Sequence, residues 1–161
     1  MKICYINGYQ GEQSSKPKYL GNLLGLDIHQ IKLYVENGSI NLLDIEEQIK
    51  DQDLIISSST GSYISRYFSF KYNIPVIMLN PVLDFIETFK KINVPCDIPA
   101  EFHGSFLLEH LVFINRDDEL IDFSNINTIY SNVVEFQSGG HRFTNLDEII
   151  PFILDFINKI K

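Results

Sequence analysis

The run Val76-Ile77-Met78-Leu79, closed by Pro75 and Asn80, has no polar face and is too short for a helix. A strand of that kind has to be covered on both sides, as in sheets flanked by two layers of helix. The rest of the chain alternates around it. Strand patterns are read at residues 2–6, 28–34, 54–57, 75–80, 110–114 and 132–137, and helical spacing at 18–24, 42–50, 62–72 and 146–160. Strands alternating with helices imply right-handed crossovers. The expected fold is α/β, with a mostly parallel six-stranded sheet and helices on both faces.

Several local expectations follow. Ile28 and Leu33 are expected to share one face of the second strand. Asn41, with Asp44 three residues on, is the cap of the second helix. Residues 120–126 are read as a short helix, and Pro151 is expected to open the main body of the last helix or kink it. Residues 82–109 break the periodicity and are read as a short lid insertion. At 161 residues, the chain is expected to be a single domain spanning 1–161.

Composition narrows the function. With a net charge of −8 and only short basic clusters, nucleic acid is not an expected partner. No apolar run approaches the roughly 18 residues of a membrane span. The N-terminus enters a strand directly, without a signal-peptide layout. Two cysteines, Cys4 and Cys96, give no disulfide framework, so a reducing, cytoplasmic setting is expected. Cys96, His103 and His110 are separated by six residues each time, a spacing that suits no zinc module, and neither metal nor cofactor is expected. Oligomeric state has no signature here.

In parallel sheets ligands sit at the C-terminal strand ends. Four of the six strands end in polar loops: Asn7-Gly8-Tyr9, Ser59, Asp117-Asp118 and Gly140-His141. The turn Ser57-Ser58-Ser59-Thr60-Gly61-Ser62 carries a strand into a helix with serine at the corner. That is the layout of a nucleophile elbow, Gly-x-Ser-x-Gly, read here as Ser57-x-Ser59-x-Gly61. A serine hydroxyl attacks an acyl carbon only when a base takes its proton, and the base needs an orienting carboxylate. Ser59 is the candidate nucleophile and His141 the candidate base. Asp117, Asp118 and Asp122 compete for the acid. The oxyanion would be met by the backbone N–H groups of Thr60 and Tyr9, with Gly8 letting the first loop come close. The substrate pocket is assigned to Gly8, Gln10 and Phe106. The expected partner is a small-molecule acyl ester.

These residues resemble the small YqiA-type esterases, a compact branch of the α/β-hydrolase superfamily, over nearly the whole chain. The elbow is matched by Ser57-Ser58-Ser59-Thr60-Gly61-Ser62 and the following strand by Ile74 through Val82. The family's acid motif corresponds to Asp117-Asp118-Glu119-Leu120-Ile121-Asp122-Phe123, which selects Asp118. Its histidine motif corresponds to Gly139-Gly140-His141-Arg142-Phe143. The resemblance implies hydrolysis of small carboxylic esters or thioesters through a Ser-His-Asp triad, without a cofactor. Asn7 stands where the family has histidine, Ser57 and Ser62 where it has elbow glycines, and Asp117 where it has the glycine before the acid. Two other functions fit parts of the pattern. One is a non-catalytic binding protein on a decayed hydrolase fold. The other is a flavodoxin-like nucleotide binder, with a phosphate at Ser59-Thr60-Gly61-Ser62.

Overall fold

The computed structural model describes residues 1–9, 11, 14–31, 33, 35–36, 39–92 and 109–161. Six strands form the main sheet: β1 (Ile3–Ile6), β2 (Ile28–Ile31), β5 (Leu54–Ser58), β6 (Val76–Leu79), β7 (His110–Asn115) and β8 (Val133–Phe136). Their order is β2-β1-β5-β6-β7-β8, and every adjacent pair is parallel. A separate antiparallel pair, β3 (Val35–Glu36) and β4 (Ser39–Ile40), went unread in the sequence. Its signal was the Asn37-Gly38 dipeptide, a strong hairpin marker.

The central strands are buried from end to end because helices cover both faces. One face packs α2 (Leu42–Ile49), α3 (Gly61–Tyr72) and the short α5 (Ile126–Ile129) over Cys4, Ile6, Ile55, Val76, Met78, Val112 and Ile114. The other packs α1 (Lys16–Leu24) and α6 (Leu146–Ile160) over Ile3, Tyr5, Ile56, Ile77, Leu79 and Phe113. The strand period of two divides each run between the two cores, which is why β6 could carry four apolar residues without a polar face. Cys4 lies wholly inside the first core, and burial pushes its thiol up to about 12, so it stays protonated and inert.

Two expectations are corrected. Ile28 packs in the α1–α6 core while Ile31 and Leu33 pack in the other, so Ile28 and Leu33 do not share a face. Residues 120–125 are not helical; the helix starts at Ile126. There Asp118 Oδ1 accepts from Leu120 N at 2.8 Å and Ile121 N at 2.9 Å, and Asp122 accepts from Ser124 N at 2.9 Å. Such side-chain bonds hold the backbone in turns that compete with a helix.

Asn41 caps α2 as expected, its Oδ1 accepting from Leu43 N and Asp44 N. Pro151 lies inside α6, which is one continuous helix from Leu146 to Ile160. The segment read as a lid, 82–109, is described through α4 (Phe85–Ile92) and at Glu109; residues 93–108 lie outside the described part, and with them Cys96, His103 and Phe106. No helix among the described residues is long and apolar enough to cross a membrane.

Candidate active site

Ser59 follows the last residue of β5 and holds φ at 50°, in the left-handed region that residues with a Cβ seldom adopt. The turn is held by its own carbonyl, which accepts from Ser62 N at 3.0 Å, from the Ser62 hydroxyl and from Val82 N at 3.4 Å. Ser59 N donates to Leu79 O at 3.1 Å. Two glycines make the corner possible. A Cβ on Gly61 would lie 2.4 Å from Asn7 O and 2.6 Å from Ile6 O, so α3 can start here only by pressing bare backbone against the end of β1. A Cβ on Gly8 would lie 2.9 Å from the Ser59 Cβ, which makes the first loop one wall of the nucleophile's surroundings.

Ser57 is accommodated without strain of this kind. Its hydroxyl is buried toward α3 and hydrogen-bonded to Ser65 Oγ at 2.8 Å, and Ser65 Oγ is also within 2.9 Å of Ser62 O, which accepts from it. Of the serines that replace elbow glycines, Ser57 thus bonds to Ser65 on α3 and Ser62 to the turn's own backbone at Ser59 O.

The three residues read from separate strand ends come together. Ser59 Oγ and His141 Nε2 are 3.0 Å apart. His141 Nδ1 lies 2.9 and 3.1 Å from the two carboxylate oxygens of Asp118. The Asp118 side chain is fully buried, while 18% of the imidazole remains exposed. Asp118 also receives the Leu120 and Ile121 N–H groups, so three donors surround a carboxylate removed from water. Asp117 and Asp122 do not reach the imidazole: Asp117 accepts from Gly139 N and Gly140 N, and Asp122 from Ser124.

The loop that carries His141 is braced by residues the sequence reading did not single out. Asn80, at the end of β6, donates through Nδ2 to Gly140 O at 2.9 Å and accepts on Oδ1 from Asn115 N at 2.9 Å. Asn115, at the end of β7, donates through Nδ2 to the same Gly140 carbonyl at 3.1 Å. Glu119 accepts from His141 N at 3.0 Å, and that bond holds its carboxyl below the ordinary glutamate range. Gly139 and Gly140 have φ of 144° and 60°, and a Cβ on Gly139 would lie 2.4 Å from Asn145 Oδ1. The available signal was the closure of three apolar strands by asparagine, at Asn7, Asn80 and Asn115.

Around the nucleophile, Thr60 N donates to no described residue and lies at the start of the twelve-residue α3, where the helix dipole favours negative charge. The Tyr9 N–H is engaged with Thr60 Oγ1 at 2.6 Å. Gln10 lies outside the described residues. Of the imagined metal ligands only His110 is described; it is buried in β7 with its ring 5.8 Å from that of Tyr130.

No curated protein matches this chain in sequence. Solved structures do match it in shape. Alpha/beta hydrolase domain-containing protein 10 from mouse superposes with a TM-score of 0.71 at 16% identity, over 99% of this chain and 90% of that one. The esterase domain of a Rhodothermus marinus protein gives 0.66 at 12% identity, over 98% and 85%. YbtT, a type II thioesterase from the yersiniabactin biosynthetic pathway, gives 0.54 at 13% identity, over 98% and 92%. At such identities the likeness is one of fold. Residues 18–93, which include the elbow and its helix, match the sequence model of the uncharacterised protein family UPF0227, and the chain has the α/β-hydrolase fold together with the likeness to YqiA-type esterases read from its motifs.

Proposed function

We propose that this protein is a serine hydrolase acting on small carboxylic esters or thioesters through Ser59, His141 and Asp118. The observation that carries the reading is the unbroken chain of contacts from Ser59 Oγ through His141 to Asp118, at 3.0 and 2.9 Å. Ser59 attacks the acyl carbon while His141 Nε2 takes its proton. Asp118, held by the Leu120 and Ile121 N–H groups, keeps the Nδ1–H tautomer and stabilises the imidazolium. The tetrahedral oxyanion forms beside the Thr60 N–H at the head of α3. The Tyr9 N–H is the second donor, released when Thr60 Oγ1 turns away from it. The imidazolium then protonates the leaving group, and water, activated by the same base, hydrolyses the acyl-enzyme.

The nucleotide-binding alternative draws less support. Two of the hydroxyls that a phosphate at this turn would meet already have partners, Ser59 Oγ in His141 and Thr60 Oγ1 in Tyr9 N.

A fluorophosphonate probe tests the reading. Wild type should be labelled, Ser59→Ala should not, and the same substitution should lower ester turnover by about a thousandfold or more. Folded wild type that neither labels nor turns over any of a panel of acyl esters would leave the decayed-fold alternative.

A further inference from the structure

The loop that carries His141 contains a residue of a kind such turns seldom hold. Phe143, two residues after His141, has φ at 54°. The other described residues with positive φ and a side chain are Ser59, Asn73 and Asn80. Asparagine tolerates that backbone through its short polar side chain, and Ser59 is the candidate nucleophile. A bulky aromatic residue is a true outlier there. Such strain persists only where the surroundings over-determine it.

The surroundings are aromatic. The Phe143 ring is 1% exposed and stands edge-on to Phe113 of β7 and Phe136 of β8, with centroids 6.4 and 6.2 Å away and planes at 67° and 88°. Edge-to-face packing at these separations is a favoured arrangement of aromatic rings. The strand-end asparagines and the Asp117 and Glu119 carboxylates all bond to residues 139–141. Past His141 the loop turns inward: Phe143 N donates to Gly140 O at 3.2 Å, Thr144 N donates to Gly139 O at 3.1 Å, and the Phe143 ring enters the α1–α6 core. His141 therefore lies between a polar hold before it and a buried ring after it. A turn that only had to reverse the chain would be served by glycine or asparagine. The aromatic side chain adds an anchor that neither could provide.

We propose that Phe143 is a positioning residue: its ring, clamped between Phe113 and Phe136, imposes the left-handed turn that keeps the His141 imidazole within reach of both Ser59 and Asp118. The consequence for turnover rests on the serine-hydrolase reading, while the aim of the imidazole does not.

Phe143→Leu tests it in the full chain, against Phe156→Leu as the control. Phe156 is 4% exposed in the same core but stands nearly three turns along α6, so both exchanges remove a buried ring and only one touches the base loop. The first readout needs no turnover. In the resting protein, the His141 Nδ1–H bonded to the buried Asp118 carboxylate should give a low-field proton resonance sheltered from solvent exchange. It should broaden or vanish in Phe143→Leu and persist in Phe156→Leu. The second readout is kinetic, per active site titrated with the fluorophosphonate probe. Phe143→Leu should lower kcat about tenfold with KM nearly unchanged, and Phe156→Leu should alter neither. Phe136→Leu removes one jaw of the clamp and leaves residue 143 in place. It should show the Phe143→Leu pattern more weakly, and it decides the question if Phe143→Leu does not fold.

A resonance and a kcat unchanged from wild type, or equal losses in the loop variants and in Phe156→Leu, would overturn the positioning role and leave the hydrolase standing. Loss of the resonance in the loop variants alone, in a protein whose wild type neither labels nor turns over an ester, would retain the positioning of His141 and overturn the hydrolase.

Discussion

Three of the main strands end in buried asparagine at the same edge of the sheet, and the protein uses them in two different ways. At the end of β1, Asn7 is only 2% exposed, yet neither its Oδ1 nor its Nδ2 has a hydrogen-bond partner among the described residues. What matters there is backbone: the Asn7 carbonyl abuts Gly61, and Gly8 abuts Ser59. At the ends of β6 and β7, Asn80 and Asn115 bond to one another and to the Gly140 carbonyl, so the base loop hangs from side chains. The nucleophile is thus positioned by close contact and the base by a polar bracket. Contact fixes a strained corner because packed backbone cannot yield. Hydrogen bonds suit a loop that must hold an imidazole to two partners at once.

The comparison breaks most sharply at Gly61. Gly61→Ala sets a Cβ 2.4 Å from Asn7 O with backbone on both sides, so α3 and β1 must move apart. The expected loss is at least about 3 kcal/mol of stability, read as a lower urea midpoint. Gly8→Ala meets the Ser59 Cβ at 2.9 Å and should spare the fold more than the site, cutting fluorophosphonate labelling at a modest stability cost. Equal, small effects of both substitutions would mean that contact does not hold the elbow.

On the polar side, Asn80→Ala removes the acceptor of the buried Asn115 N–H and one donor to Gly140 O, and leaves alanine at a φ of 44°. About 2–4 kcal/mol should be lost, from an orphaned buried N–H and a backbone strain that asparagine tolerates better. Asn80→Gly relieves the strain and keeps the hydrogen-bond loss, so its stability should lie between the two. Both should lower turnover by loosening His141, and normal turnover in either would deny the bracket its role.

The same contrast explains what the sequence made legible. Strand and helix patterns gave the sheet and both helical layers, because hydrophobic period follows from burial. Ser59 and His141 stood out because each follows a strand in polar surroundings, whereas Asp117, Asp118 and Asp122 competed on pattern alone and only the likeness to the family's acid motif selected Asp118. Asn80 and Asn115 did not stand out, since a polar residue closing an apolar run reads as the start of a loop, and only the fold reveals that two such ends face a third segment. The short helix expected at 120–126 was displaced by the Asp118 and Asp122 turns, whose bonds no apolar period encodes. The β3–β4 pair is too short, at two residues per strand, to show any period at all.

A smaller effect, opposite in sign, is expected at the third asparagine. Asn7→Leu exchanges a buried amide, without a partner among the described residues, for an apolar side chain of similar volume. Burying such an amide without a partner costs about 1–3 kcal/mol, so the exchange should be neutral or raise the melting temperature by a few degrees. A fall would show that Asn7 has a partner such as a bound water, and the two ends of the sheet would then be held by the same kind of force.

Glu119 gives the smallest effect and the one most dependent on pH. Its exposed carboxylate accepts the His141 N–H, and that bond holds its carboxyl below the ordinary value of 4.5. A carboxyl depressed on folding stabilises the native state above its unfolded pKa, and that contribution is lost as pH falls through the folded value. The melting temperature of wild type should therefore exceed that of Glu119→Gln slightly at neutral pH, with the gap constant down to about pH 5 and closing as the solution becomes more acidic. If the gap stays open well below pH 4, Glu119 braces the base loop through shape rather than charge. The polar bracket around His141 would then rest on Asn80, Asn115 and Asp117, without a charged acceptor on the His141 N–H.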